Sequence, residues 1–299
     1  MYSVRSHPDS LPDLVGRVAA SGYDGVEFAH RFQQESPADI AAVLDETGVV
    51  PVAAHADLPT IEDALAGEAD LLERCVTVGC DRIVVAHPDS THFRTDESVR
   101  ALADRLDNVS AALAERGLEL GLHNDREWLC PLLPSSVETL IDVTPIPDGA
   151  ADYLQEAGRR LRARNTAPVP RRTPLWQLIE GTDSTAVWFE LEVAELHAGG
   201  VAPTEALSLL GSRTEMLHLR DVTPGSGLGE YENAPHGDGV VNMEHTLRAA
   251  SDAGIQWVVY EDELETPPEE KIDAGGRFFE GILGEQATET EQGHRPDVS

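Results

Sequence analysis

The stretch VGCDRIVVAH, residues 78–87, decides the fold. Gly79 is the residue type that takes the left-handed conformation after a last helical turn, so a helix ends there. A β-branched run follows at Ile83, Val84 and Val85, and reads as a short buried strand. It runs into a histidine, His87. Three other stretches repeat the phrase: SGYDGVEFA (21–29), RGLELGLH (116–123) and AGIQWVVYE (253–261). Helix, glycine, tight loop and short apolar strand, repeated along a chain, is the order of a parallel α/β sheet.

Working outward, strands are predicted at 2–5, 25–28, 50–54, 82–86, 119–122, 187–191, 216–219 and 257–260. Helical stripes lie between them. Leu11, Leu14, Val15 and Val18 follow a capping Ser10, and Val99, Leu102, Leu106, Val109 and Leu113 precede a terminating Gly117. Eight strand–helix pairs in 299 residues make an α/β fold of the (β/α)8 TIM-barrel type. No glycine-rich phosphate loop follows the first strand, which argues against an open doubly wound sheet. One domain is expected over 1–283, with an insertion at about 131–173 after strand 5. The polar stretch 284–299 is expected to be a disordered tail.

The insertion carries a predicted helix at 148–164 and Arg159, Arg160, Arg162, Arg164, Arg171 and Arg172. These arginines suit pairing with the chain's own acidic surface or with a neighbouring subunit. A lid that holds an anionic substrate group is the alternative. Cys75, Cys80 and Cys130 have no metal-binding or disulfide spacing, and Cys75 and Cys80 read as small core residues.

The formal net charge is −32, and Lys271 is the single lysine. Self-repulsion of that size is costly in dilute buffer and is screened at 1 M salt, where the Debye length is about 3 Å. The composition is of the haloarchaeal type and points to a halophilic, cytoplasmic protein. It opposes nucleic acid as a partner. No apolar run is long enough for a membrane span and no signal-peptide core opens the chain.

In such a barrel the C-terminal ends of the strands converge on one pocket. His55 and His87 follow the third and fourth strands and are candidate substrate contacts. The fifth ends in His123, Asn124, Asp125, Arg126 and Glu127. Glu192 stands at the end of the sixth, on the same face as Glu190. His218 and Arg220 share a face of the seventh, and Glu261 ends the eighth. Glu192, His218 and Glu261, with a group from the fifth strand, offer one nitrogen and several oxygens. That donor set suits one divalent ion, Mn2+ first, with Mg2+, Co2+ or Zn2+ as alternatives. Such a cluster of carboxylates would repel itself without a cation. Glu127 is the preferred fourth ligand, His123 a ligand or substrate contact, Arg220 a substrate contact, and Asp221 a partner orienting His218.

SGYDGVEFA, GLHNDREW (121–128), MLHLRDV (216–222) and HGDGVVN (236–242) with WVVYEDE (257–263) together resemble the xylose isomerase-like barrels, the sugar phosphate isomerase/epimerase group. The resemblance covers about 1–283 apart from the insertion. It implies a single divalent metal held by Glu, Asp, His and Glu. His218 and Glu261 match directly, and the Asp position falls on Glu192. In the fifth-strand motif the middle His is Asp125, and the Glu arrives one residue early, at Glu127. The implied activity is isomerisation or epimerisation of a sugar, sugar phosphate or polyol. Glu127 or Glu261 would take the proton next to a carbonyl, giving an enediolate held by the metal. A dehydratase of a keto-polyol on the same site, a non-catalytic decayed barrel and an abasic-site endonuclease are the alternatives. The partner is a small sugar-like molecule, and the resemblance is compatible with a homo-oligomer.

Overall fold

A computed structural model describes residues 1–133, 156–159, 168–227 and 229–293. In chain order the helices are α1 (Leu11–Ala20), α2 (Pro37–Thr47), α3 (Leu58–Ala66), α4 (Leu71–Val78), α5 (Asp96–Ala114), α6 (Pro174–Gly181), α7 (Val193–Ala198), α8 (Pro203–Leu210), α9 (Met243–Ala253) and α10 (Pro268–Gly293). The strands are β1 (Gly25–Phe28), β2 (Val50–Ala56), β3 (Arg82–Val85), β4 (Glu119–His123), β5 (Val187–Glu192), β6 (Thr214–Leu219), β7 (Asp221–Pro224), β8 (Tyr231–Ala234) and β9 (Trp257–Tyr260). Seven of these form one parallel sheet, in the order β1-β2-β3-β4-β5-β6-β9, curled into a nearly closed barrel. β7 and β8 pair antiparallel as a separate hairpin beyond the end of β6.

The expected strand at 2–5 is corrected. Tyr2–Val4 is a single 3-10 turn, closed by the Arg5 N–H donating to the Tyr2 carbonyl at 3.0 Å. The segment satisfies itself locally instead of joining a ladder. At this seam the Met1 ammonium donates to the Glu27 carbonyl at 2.6 Å. A cavity of about 420 Å³, lined by β1, β9 and Met1, lies alongside.

The helix signals act as read. Ser10 accepts from the Asp13 N–H to cap α1, and Leu11, Leu14, Val15 and Val18 are buried. Gly79 ends α4 at φ 72°, in the left-handed region where a Cβ is strained. The five-residue stripe of α5 is buried, as are the three cysteines, all free thiols. The barrel interior below the strand ends is filled by Val52, Val84, Trp188 and Met216, with Trp257 and Val259 packed against them. Gly121 makes room for this layer. A Cβ there would sit 2.5 Å from the Trp188 ring.

The tail expectation is corrected in part. α10 continues to Gly293, so 284–293 is helical. Glu, Gln and Ala are good helix formers even without an apolar stripe. The predicted helix at 148–164 lies mostly outside the described residues; its described residues, 156–159, are helical. No described helix is long and apolar enough to cross a membrane.

Candidate metal centre

Parallel register aligns the strand ends. Glu192 of β5 stands beside His218 of β6, and His123 of β4 stands beside Glu190 of β5. Because side chains alternate, Glu190 and Glu192 both point inward, two residues apart along the barrel axis. Two groups of donor atoms result, and in each the atoms lie within 4.8 Å of one another. The upper group is His123, Glu192, His218 and Glu261, all buried. The lower is Glu27, His55, Glu190 and His218.

In the upper group His218 Nδ1 is 2.9 Å from Glu261 Oε2. Glu192 is fixed from several sides. Its N–H donates to Asn124 Oδ1 at 3.0 Å, the Ala194 N–H donates to its Oε1 at 2.8 Å, and Arg220 Nε lies 3.3 Å from Oε2. His123 is buried and its Nδ1 has no hydrogen-bond partner. One ring nitrogen of His123 lies within 4.8 Å of oxygens of Glu192 and Glu261, and a buried imidazole with an unpartnered nitrogen is what a cation would complete. These residues therefore fit a divalent ion.

The electrostatics agree. Burial pushes the Glu192 carboxyl well above the usual range against the pull of Arg220, with Glu261 adding to the rise. Burial works in the same direction on Glu261, but His218 holds it well below that range. Burial disfavours the His218 cation, yet Glu190 and Glu27 raise its pKa well above normal. His55 is likewise pushed down by burial and carried up to about 10 by Glu27 and Glu190. His123 is lowered to about 4 by burial, with His218 adding to it. Four inward carboxylates are thus balanced by protons and one guanidinium, all positive charge that a metal ion could replace.

Several predicted residues stand elsewhere than expected. Glu127 is exposed on the 3-10 turn Arg126–Leu129, outside both groups, and His123 supplies the fifth-strand donor. The strand runs to His123, so the chain turns away before Glu127 can point inward. His55 sits inside the lower group, whereas His87 is exposed at the rim and paired with Asp125 at 3.0 Å. Arg220 faces the protein with every nitrogen. Beyond Glu192 it binds Glu195 at 2.5 Å, and both Glu263 and Asn233 at 2.9 Å. Asp221 does not touch His218. It accepts from the backbone N–H groups of Val222, Gly237, Gly239 and Val241, and so holds the HGDG turn in place. Sequence reading assigns no role to Glu27, Asn124 or the clamp residues Glu195, Asn233 and Glu263. An acid inside the apolar strand GVEF was the signal for Glu27.

Of the insertion arginines, Arg159 is buried. It pairs with Glu156 at 2.5 Å and donates to the Ala198 and Gly229 carbonyls. Arg171 lies over the Trp176 ring. Arg160, Arg162 and Arg164 fall outside the described residues.

No curated protein matches the chain by sequence. The family model for xylose isomerase-like TIM barrels matches residues 15–143. Among solved structures, the IolI protein with a bound zinc atom is similar at TM-score 0.66 and 15% identity, over 95% of this chain and 96% of that one. A sugar phosphate isomerase/epimerase from Parabacteroides distasonis gives 0.64 and 15%, over 90% and 87%. A probable 3-DHS dehydratase, AsbF of Bacillus anthracis, gives 0.63 and 12%, over 93% and 96%. Residues 15–143 match the xylose isomerase-like TIM barrels in sequence, and the chain as a whole shares their fold.

Proposed function

We propose that the chain is a divalent-cation-dependent isomerase or epimerase acting on a sugar-like substrate at the ends of β4, β5, β6 and β9. The observation that carries this reading is the convergence of His123, Glu192, His218 and Glu261 on one small volume. The barrel is shared with a sugar phosphate isomerase/epimerase and with a zinc-bound protein. Two imidazoles and two carboxylates suit Mn2+, Co2+ or Zn2+ better than Mg2+, which prefers an all-oxygen set.

A bound cation would supply Lewis acidity toward a substrate carbonyl and its neighbouring hydroxyl. The remaining chemistry belongs to the side chains. Glu261, kept anionic by His218, is the group able to accept the proton from the carbon next to the carbonyl. Once protonated, the same carboxyl group is the one able to return the proton, while Glu192, whose own proton a cation would displace, serves as a ligand. Arg220 and Asn124 hold Glu192 in place, and the exposed His87–Asp125 pair stands at the rim, within a substrate's reach.

The test uses metal-stripped protein, a panel of ketoses and ketose phosphates in D2O, and NMR with and without Mn2+. Metal-dependent deuterium at the carbon next to the carbonyl, lost in Glu261→Gln, is expected. The product then separates epimer from aldose and from a dehydrated ketone. No exchange with any substrate in the presence of Mn2+ would leave the decayed-barrel alternative standing.

A further inference from the structure

We propose that the chain holds a second divalent-cation site, built from Glu27, His55, Glu190 and the Nε2 face of His218. It rests on the reading of the upper group only through His218, whose Nδ1 faces Glu261 while Nε2 faces the lower pair of carboxylates.

The four side chains form a closed ring. His55 Nε2 lies 2.8 Å from Glu190 Oε2 and 3.0 Å from Glu27 Oε1. His218 Nε2 lies 2.8 Å from Glu27 Oε2 and 3.1 Å from Glu190 Oε1. Each Nε2 carries at most one hydrogen, so two protons face four nitrogen–oxygen contacts. Glu27 Oε1 and Glu190 Oε1 are the oxygens left over, buried and without an aligned hydrogen bond. A cation satisfies this arrangement through lone pairs on the carboxylates and on each Nε2 that has given up its hydrogen; with the Nδ1 face filled as well, His218 would give up both ring hydrogens. The imidazole planes also lie within 10° of each other, with centroids 5.5 Å apart.

Among the described residues, the Met1 ammonium is a further positive charge that Glu27 and Glu190 attract. Glu27 is 5% exposed and Glu190 fully buried. Beneath them lies the apolar layer of Val52, Val84, Trp188 and Met216. The Met1 ammonium is spent on the Glu27 backbone carbonyl, not its carboxylate. Two imidazoles with two carboxylates make a borderline donor set, suited to Zn2+, Co2+ or Mn2+. Filling the site displaces the imidazole protons, so uptake of this ion releases protons.

Equilibrium dialysis against Mn2+, with the metal counted per chain, tests the site in wild type, Glu27→Gln, Glu190→Gln, His55→Asn and Glu261→Gln. Two ions in wild type are expected, one lost in each lower-group variant and the other in Glu261→Gln. A single ion that the lower-group variants lose and Glu261→Gln keeps also supports the site, and overturns the upper group as the reactive centre. A single ion kept by the lower-group variants overturns the inference and leaves the proposed function intact. No ion at all overturns both. Three lower-group variants guard against one that fails to fold. A Co2+ titration of wild type, followed by visible absorption, is expected to break at two equivalents.

Discussion

Arg220 decides between a substrate contact and an internal clamp, and Arg220→Met tests which it is. Methionine keeps much of the side-chain volume and deletes the charge. The change removes contacts to Glu192, Glu195, Glu263 and Asn233. Of the carboxylates, Glu192 and Glu195 are buried, and Glu195 keeps Arg126 at 3.0 Å. Glu192 is left beside Glu261, with the His218 imidazole and the Ala194 N–H as further neighbours. Removing one partner of a buried ion pair costs about 3–5 kcal/mol when the other charge stays behind, as for Glu195, whereas Glu192 can take up a proton instead. Urea unfolding in molar salt is expected to show a loss in that range, since salt screens surface charges and not this pair. Losing the group that orients a ligand also weakens metal affinity about 10–100-fold. A loss under about 1 kcal/mol with unchanged Mn2+ affinity would refute the clamp. Combined with a raised KM, it would make Arg220 the substrate contact that its position in the sequence first implied.

Three further outcomes follow from the same structure. Gly121→Ala drives a methyl to 2.5 Å from the Trp188 ring. Overpacking of this kind costs about 1–3 kcal/mol, and an unchanged melting temperature would contradict the close approach. The metal-free protein is expected to be most stable near pH 6.5. Above that pH the unfolded chain has lost the histidine proton that native His55 keeps up to about 10, so stability falls as pH rises. Below it the unfolded chain binds the proton that native His123 refuses down to about 4, so stability falls toward acid. Melting temperatures across pH 4–10 check both limbs, and a flat alkaline limb contradicts the imidazole–carboxylate ring. With a net charge of −32, the chain is expected to unfold in dilute buffer and to regain circular dichroism as KCl approaches molar concentrations. Equal stability at low salt would remove the halophilic reading.

Seven strands of the barrel were legible because each carries its own apolar run, and all but β5 follow a glycine at positive φ. Residues 25–28 and 257–260 match β1 and β9 to the residue. The first expected strand failed because YSVR has strand-like composition, whereas pairing depends on neighbours that composition does not show. The β7–β8 hairpin was missed for a similar reason. Its residues, DVTP and YENA, alternate weakly and pair only with each other. Within the site, Glu192, His218 and Glu261 were legible by alternation alone, since each strand fixes its own inward face. Glu127 was placed by analogy with a motif that this chain shifts by one residue, and a shift of one residue turns a side chain from the pocket to solvent. Glu27 comes from the first strand, across the seam from β9, so no local pattern joins it to His218, 191 residues away. Arg220 looked free for substrate because the acids that surround it, Glu195 and Glu263, lie on other segments.

The central claim is that four strand-end side chains share one cation. Crystals grown in molar salt with Mn2+, measured for anomalous scattering at the manganese edge, test it most directly. A peak within coordination distance of His123, Glu192, His218 and Glu261 is the result expected. Density confined to the lower group, or no peak at saturating Mn2+, would contradict it.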